Sequence, residues 1–335
     1  MESYIKRDLE DAIKPFLESR EILAVVGSRQ CGKTTLVNKI LDEAKSKEIN
    51  RISFEDVRLL QLFEHDLDSF IELHVRGFDL VFIDEIQYSK YSGKKLKFIY
   101  DTLGTKIIVS GSSALDISLN SLKYLVGRVL FFELQPFSFH EFLRSKNVRL
   151  ADLFEKNITQ SSVVFDEHLP EFLVYGGYPR VVTSSTTAEK EKVLEGLFNT
   201  YLLKEVKEIM QLSDDFRLVK LVKALALQTG NLVNFNELSA YTEFSYAELK
   251  KHLNLLEKTF VCKLIHPFGL NKRSELVKTP KVYFYDSGFR NAVILDYKFE
   301  RPDSGAVLEN FVFTELIKNG VLPKFWRTKA KAEVD

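Results

Sequence analysis

Short apolar runs alternate with stretches of helical spacing along the N-terminal part of the chain. Strands that are buried on both faces have this composition, because none of their positions faces water. The runs lie at residues 22–26, 51–54, 80–83, 106–110 and 128–133. Five such strands separated by helical segments predict an α/β fold with a doubly wound parallel sheet. Ligands of such sheets bind beyond the carboxyl ends of the strands.

A glycine-rich loop follows the first apolar run. Gly27 and Gly32 are separated by four residues and followed by Lys33 and Thr34, and residues 33–44 have helical spacing. In this P-loop (Walker A) pattern, the glycines permit close backbone approach, so that N–H groups of the loop and of the helix point at phosphate oxygens. Lys33 then reaches the β- and γ-phosphates and the Thr34 hydroxyl is a ligand of Mg²⁺. The residues expected to bind ATP or ADP are Gly27, Ser28, Arg29, Gln30, Cys31, Gly32, Lys33, Thr34 and Thr35.

Two acidic residues, Asp84 and Glu85, directly follow the apolar run at residues 80–83. This is the Walker B pattern. Asp84 is expected to hold Mg²⁺ together with Thr34, and Glu85 to polarise the water that attacks the γ-phosphate. A carboxylate placed directly after the metal-site aspartate favours hydrolysis over binding alone.

The run at residues 106–110 leads into a serine-rich segment. In additional-strand P-loop ATPases, this strand lies between the P-loop strand and the Asp-Glu strand, and a polar residue at its end faces the γ-phosphate. Ser110 and Ser112 are both candidates for this sensing role, and the sequence does not choose between them.

The motifs together resemble a group of prokaryotic AAA-type ATPases, the archaeal-ATPase and STAND-like branch, and the resemblance extends over essentially the whole chain. The matching segments are VVGSRQCGKTTL, LVFIDEIQ, IIVSGSSALD, VGRVLFFELQPFSFHEF, YGGYPRVV, KTPKVYFYDSGFR and GAVLENFVFTEL. The resemblance implies an N-terminal ATPase domain, a winged-helix middle domain and a C-terminal domain similar to restriction endonucleases.

The resemblance also draws attention to arginines near the loop. These are Arg7, Arg29 and Arg128. Arg128, next to Gly127, is a candidate catalytic residue that compensates charge on the triphosphate; the alternative is a surface cation at the start of a strand. An arginine from a neighbouring copy would do the same, so a homo-oligomer is left open.

Four regions are expected. They are an AAA-type ATPase domain at 1–145, a helical lid or linker at 146–210, a winged-helix domain at 211–298 and the start of an endonuclease-like domain at 299–335. In the last region, the resemblance implies that Glu309 and Asp335 are metal-site carboxylates. Such sites also need a later acid and a lysine, so this region is interpreted as incomplete and nuclease activity is not expected.

The region between residues 214 and 285 shows three helical patterns followed by two β-type runs, which is typical of a winged helix. The whole chain is neutral, with 47 Lys and Arg against 47 Asp and Glu. Residues 217–290, in contrast, contain twelve Lys and Arg and six Asp and Glu, a net charge of +6. Duplex DNA is therefore a candidate partner, with Lys250, Lys251, Lys272 and Arg273 as the expected phosphate contacts. The alternative is a module that contacts only protein.

The composition excludes several other classes of protein. Two cysteines, Cys31 and Cys262, cannot build a disulfide framework or a cysteine-based zinc site. With no apolar run of about 18 residues, no membrane span is expected, and a cytoplasmic location is predicted. Cys31 lies within the loop, so an alkylating reagent is expected to block nucleotide binding and ATP to protect the thiol.

The sequence thus predicts a Mg²⁺-dependent ATPase of AAA type that uses ATP binding and hydrolysis as a conformational switch, acting on DNA or a DNA-associated partner. Two alternatives stay open: a DNA-binding regulator with little turnover, and a STAND-like signalling scaffold.

Overall fold

The computed structural model describes residues 4–44, 48–111, 124–156, 161–207, 215–269, 275, 278–300, 303–327 and 333–334. The chain divides into two compact units. The N-terminal unit is Lys6–Leu134, and the C-terminal unit combines Gln135–Asp335 with Met1–Ile5. The N-terminal unit therefore ends before residue 145, where the sequence placed the end of the first domain.

The N-terminal unit is built on a five-stranded parallel sheet with the order β2-β3-β4-β1-β5. The strands are β1 (Ile22–Gly27), β2 (Ile49–Ser53), β3 (Leu80–Asp84), β4 (Lys106–Gly111) and β5 (Val129–Leu134). This confirms the predicted parallel α/β fold. It also places β4 between β1 and β3, as the additional-strand pattern predicts. Every residue of these three central strands is buried, which explains their continuous apolar runs.

Helices precede and connect these strands. They are α1 (Leu9–Ile13), α2 (Lys33–Asp42), α3 (Val57–His65), α4 (Leu67–His74) and α5 (Ser92–Thr102). The helix α2 buries Leu36, Val37, Ile40 and Leu41 in the core that contains Leu23 and Val25 of β1. This apolar stripe fixes the rotation of α2, so its first turn lies directly after the loop that leaves β1.

The C-terminal unit begins with helices packed around phenylalanines. They are α6 (Phe139–Lys146), α7 (Val148–Glu155), α8 (Ser161–Tyr175), α9 (Pro179–Val182) and α10 (Thr187–Leu197), followed by a π-helix, Phe198–Val206. The ring of Phe139 packs against Phe142, Phe172 and Phe311. The role of the helices at residues 146–210 as a lid stays a prediction.

The break between α8 and α9 has a steric reason. A Cβ on Gly177 would lie 2.2 Å from the backbone oxygen of Phe137, which no side chain tolerates. The N–H of Gly177 donates a 2.7 Å hydrogen bond to Asp286, whose burial raises the pKa of its carboxyl. Gly176 and Gly177 therefore allow the chain to pass close to the buried carboxyl of Asp286.

Three helices and an antiparallel strand pair follow. The helices are α11 (Phe216–Leu227), α12 (Phe235–Thr242) and α13 (Tyr246–Lys258), and the strands are β6 (Cys262–Ile265) and β7 (Lys281–Phe284). These elements lie where the sequence pattern places them. Their assignment as a winged helix stays a prediction.

The unit ends with α14 (Ser287–Ile294), α15 (Ser304–Lys318) and a short pair of strands, β8 (Trp326–Arg327) and β9 (Glu333–Val334). Among all described residues, no helix combines the length and the apolar composition that a bilayer crossing requires.

Candidate functional site

The loop between β1 and α2 has a backbone that only some residues tolerate. A Cβ on Gly27 would lie 1.9 Å from the carbonyl oxygen of Leu134 on the neighbouring strand. Gly32, the residue before α2, has a φ of +95°, in the left-handed region that glycine adopts without strain. The loop therefore turns tightly around the carboxyl end of β1, and the first N–H groups of α2, which have no acceptor within the helix, remain available to a ligand.

Lys33 is buried at the start of α2. Its Nζ donates hydrogen bonds to the carbonyl oxygens of Gly27, at 3.2 Å, and Ser28, at 2.8 Å. The ammonium group is thus held inside the loop whose backbone would contact phosphates. The buried hydroxyl of Ser28 has no hydrogen-bond partner among the described residues, so it is available to donate to an oxygen of a ligand.

Thr34 and Asp84 form the metal-binding part of the candidate site. The Thr34 hydroxyl donates to Asp84 Oδ2 at 2.7 Å, which joins the first turn of α2 to the end of β3. Hydroxyl and carboxylate oxygens suit Mg²⁺, which keeps several waters and binds phosphates rather than a complete protein cage. The described residues contain no cluster of three or more His, Cys, Asp or Glu that could hold a metal alone. The residues present fit Mg²⁺.

Ser110 at the end of β4 contacts both acidic residues of β3's terminus. Its hydroxyl donates to Asp84 Oδ1 and lies 3.4 Å from the backbone nitrogen of Glu85, from which it accepts. Ser110 is completely buried, so few other partners are within its reach. Ser112, the other sensor candidate, lies outside the described residues.

Glu85 has an unusual backbone and a defined partner. Its φ of +55° is in the left-handed region, which is uncommon for a glutamate and typical of strained functional positions. Gln87, in the 3₁₀ turn Ile86–Tyr88, donates from its amide nitrogen to Glu85 Oε2. Gln87 was not among the predicted site residues; its signal in the sequence is an amide two residues after the candidate catalytic acid, Glu85.

Arg7 is a second residue whose contact sequence reasoning did not anticipate. Its guanidinium is buried and donates a 2.8 Å hydrogen bond from Nη1 to the carbonyl oxygen of Cys31, in the loop. The backbone N–H of Arg7 is in turn bound by Glu10 Oε1 at 2.9 Å. Arg7 therefore attaches the segment before α1 to the outside of the phosphate loop.

The remaining loop residues differ in exposure. Arg29 is half-buried, and Gln30 and Thr35 are exposed, beside Thr34. Cys31 is completely buried, and its Sγ lies 3.3 Å from the carbonyl oxygen of Leu134. An alkylating reagent therefore cannot reach this thiol without local opening of the loop, which corrects the expectation of direct blockage.

The structure does not bring Arg128 to the phosphate loop. Its guanidinium binds Asp101, with Nε 2.9 Å from Oδ1, and lowers the pKa of that carboxyl. Its carbonyl oxygen accepts from the N–H of Ile22 at the start of β1. The loop leaves the other end of β1, about 20 Å away at about 3.3 Å per residue. Within its own chain, Arg128 is therefore a surface cation at a strand start, the alternative that the sequence left open.

Two cations of the predicted basic patch are not on the surface. Lys281 and Arg290 are buried; Lys281 lies 3.1 Å from Glu309, and Arg290 binds Asp303. Glu309 also accepts from the hydroxyl of Tyr283. This contact gives Glu309 a structural role, while Asp335 lies outside the described residues.

Of the residues expected to contact DNA, Lys250 and Lys251 are exposed on α13. Lys272 and Arg273 lie outside the described residues.

Comparison with known proteins agrees with this geometry. Residues 19–143 match the family model described as an AAA domain, and residues 166–299 match one described as a domain of unknown function, DUF8612. The chain is 27% identical over 319 residues to an uncharacterized protein of Haemophilus influenzae, covering 91% of this chain and 76% of that protein. It is 25% identical over 346 residues to the uncharacterized protein MJ1544 of Methanocaldococcus jannaschii, covering 99% of this chain and 74% of the relative.

A solved structure shows the same fold. The Walker-type ATPase PABY2304 of Pyrococcus abyssi has a TM-score of 0.57 at 15% identity, covering 87% of this chain and 96% of that one. The family-model match shows an AAA domain at residues 19–143, in agreement with the resemblance to AAA-type ATPases, and the solved structure supports the fold. Its C-terminal half matches only a domain of unknown function, so the winged-helix and endonuclease-like assignments stay predictions.

Proposed function

We propose that this protein binds ATP with Mg²⁺ and hydrolyses it, and that it uses the two nucleotide states as a switch on DNA or a DNA-associated partner. The observation that carries the proposal is the 2.7 Å hydrogen bond between Thr34 and Asp84. Lys33 directly precedes Thr34 in the sequence, and Glu85 directly follows Asp84. These groups supply the cation, the metal ligands and the acid that phosphoryl transfer to water requires.

Binding begins with the loop. The N–H groups of the loop and of the first turn of α2 donate to the phosphates, and the hydroxyl of Ser28 adds a donor that has no other described partner. Lys33 exchanges the carbonyl oxygens of Gly27 and Ser28 for phosphate oxygens, which carry charge and therefore bind an ammonium group more strongly.

Thr34 and Asp84 would hold Mg²⁺. The ion, when bound, neutralises phosphate charge and orients the β- and γ-phosphates. The contact of Ser110 with Asp84 fixes the carboxylate that would face it.

Hydrolysis needs an oriented water at the γ-phosphate. The oxygen of this water bonds to the γ-phosphorus while the bond from the γ-phosphorus to the β-phosphate oxygen breaks, and Glu85 accepts the proton that the water loses. ADP and inorganic phosphate are the products. Ser110 touches both Asp84 and the backbone of Glu85, so it links the metal ligand to the acid.

One observation favours a slow-turnover alternative, a DNA-binding regulator or a STAND-like scaffold in which occupancy matters more than hydrolysis. One oxygen of the Glu85 carboxylate is already held by Gln87. Turnover would be slow if this contact held the carboxylate away from the water at the γ-phosphate, although the contact itself leaves Oε1 able to accept.

Calorimetry with MgATP, followed by measurement of ATP turnover with and without duplex DNA, tests the proposal. Binding and turnover that DNA changes are expected. Binding with negligible turnover in both conditions would select the alternative, and absence of heat with well-folded protein would refute a nucleotide site.

A further inference from the structure

The helix α13 presents a compact exposed face. Tyr246, Ala247, Lys250, Lys251 and Asn254 are all exposed, whereas Leu249, His252, Leu253 and Leu256 on the other side are buried. At about 100° per residue, Ala247 and Asn254 point within about 20° of each other. Lys250 and Lys251 lie about 50° to either side. The face therefore has a small residue and an amide along its centre and a cation on each flank.

The acids of α13 are occupied within the protein. Glu248 closes the capping box by accepting from the N–H of Ser245 at 2.7 Å. Glu257 accepts from the N–H of Leu264 at 3.0 Å and pairs with Lys263. Within the described part of the chain, neither Lys250 nor Lys251 forms an ion pair. The charge of the exposed face is therefore positive and uncompensated.

The side chains at the start of α13 are held in place. The Tyr246 ring packs against Phe235 at 5.3 Å between centroids, and the Nζ of Lys250 lies 4.6 Å from the centre of the Tyr246 ring. The helix itself follows α12 after the three residues 243–245, with Glu243 in the left-handed region. Two helices joined by such a short turn are the unit that places its second helix in the major groove of DNA.

We infer that the exposed face of α13 enters the major groove of duplex DNA, with Lys250 and Lys251 on the phosphates and Asn254 reading a base edge. The inference rests on the DNA-directed part of the proposed function. An asparagine amide both donates and accepts, which matches adenine bidentately, and Ala247 allows close approach. Ala247 and Asn254 are about 10 Å apart along the helix, so the face spans about three base pairs at 3.4 Å each.

The occupant is duplex DNA rather than duplex RNA because the major groove of A-form RNA is too narrow for a helix. An acidic protein surface would complement the lysines but would not use the amide at the centre. The effect of replacing Asn254 therefore distinguishes duplex DNA from an acidic protein surface.

The experiment measures fluorescence anisotropy of labelled duplex DNA, of a matched RNA duplex, and of DNA selected from a randomised pool, with the full chain at several salt concentrations. For the wild type, affinity is expected to fall with salt, and the pool to yield a preferred base at one or more positions. Lys250→Ala with Lys251→Ala should reduce the slope of log affinity against log salt by about two.

Two single variants separate base reading from charge. Asn254→Ala should keep the salt slope and lose about ten-fold or more of the preference at one position. Ala247→Glu places a bulky anion at the centre of an exposed face and should weaken binding at least about ten-fold without unfolding the chain. Lys192→Ala is the matched control, because this lysine lies on α10, is 79% exposed and pairs with Glu195. It should change nothing.

Absence of duplex binding by the wild type, or binding that the α13 variants leave unchanged, would overturn the inference. So would equal affinity for the RNA duplex. Calorimetry with MgATP on the same proteins keeps the two proposals apart. The α13 variants should bind ATP normally, while Lys33→Ala should lose ATP and keep the duplex preference.

Discussion

The hydroxyl of Thr34 donates a 2.7 Å hydrogen bond to Asp84, although the two residues are 50 positions apart in the sequence. The contact is made where α2 begins and β3 ends. It brings Lys33, at the start of α2, close to the acids at the end of β3, at the carboxyl edge of the sheet. The predictions about nucleotide chemistry depend on this contact.

Lys33→Ala is expected to lower ATP affinity by about a hundred-fold or more, since the charge-assisted contacts to phosphate are lost. Isothermal calorimetry with MgATP measures this. Lys39→Ala is the matched control because Lys39 lies on the same helix and pairs with Glu43 at the surface. Equal losses in both variants would show that α2, rather than the ammonium of Lys33, had been damaged.

Glu85→Gln is expected to bind ATP with nearly wild-type affinity and to lower kcat by about 10²-fold or more, because the amide cannot accept the proton of the attacking water. Turnover is measured by phosphate release. Turnover at the wild-type rate would remove Glu85 from its catalytic role and favour a different water-orienting group.

Ser110→Ala should raise the Mg²⁺ concentration needed for half-maximal turnover, since Asp84 loses the hydroxyl that fixes one carboxylate oxygen. The buried site should also lose about 1–2 kcal/mol of stability. Ser110→Thr keeps the hydroxyl and should restore the Mg²⁺ dependence. Identical Mg²⁺ titrations for all three proteins would contradict a positioning role for Ser110.

Arg7→Met should loosen the phosphate loop because it removes the 2.8 Å contact with the carbonyl oxygen of Cys31. The expected results are weaker ATP binding, by about ten-fold, and faster alkylation of the buried Cys31 thiol. Peptide mapping distinguishes Cys31 from the equally buried Cys262. Added ATP should slow the reaction at Cys31 alone. No change in the reactivity of Cys31 would mean that Arg7 does not hold the loop.

His252 should make the C-terminal unit sensitive to acid. Burial, with the nearby Lys251 and Arg217 cations, lowers the pKa of its ring below the ordinary value of 6.5. The unfolded chain therefore takes up a proton near pH 6.5 while the folded ring resists it, so stability is complete above that pH and falls as the pH decreases. Urea midpoints followed by circular dichroism should fall less between pH 7.5 and 5.5 in His252→Phe than in the wild type. Parallel curves would show that other groups dominate the acid response.

Much of the N-terminal unit could be predicted from local pattern. The apolar runs of β1, β3 and β4 identify strands buried on both faces, and the stripe Leu36, Val37, Ile40 and Leu41 gives the rotation of α2. The glycine spacing before Lys33 and the acids at the end of β3 match what the proposed nucleotide and Mg²⁺ would require. Such requirements act on residues adjacent in sequence, so they are visible there.

The contacts of Arg128, Arg7 and Gln87 could not be predicted from local pattern. A charge near Gly127 looked suitable for the triphosphate, but the direction of β5 puts Arg128 at the opposite end of the sheet. Arg7 belongs to no recognisable spacing, and Gln87 shows only its place two residues after Glu85, yet the fold sets Arg7 against the loop and Gln87 against Glu85. The cations of the basic segment at residues 217–290 also differ in exposure. Lys281 and Arg290 are buried against Glu309 and Asp303, whereas Lys250 and Lys251 are exposed.

The sequence by itself therefore determined the class of fold and the residues predicted to contact phosphate, since periodicity and short motifs encode local burial and local chemistry, and the additional-strand ATPase pattern gave the position of β4. Only the tertiary structure decided which charges meet, that both thiols and some of the lysines are buried, and that Ser110 contacts Asp84. Those outcomes depend on the direction and register of segments far apart in the chain. The sequence does not distinguish a charged side chain that faces water from one that pairs with a buried acid.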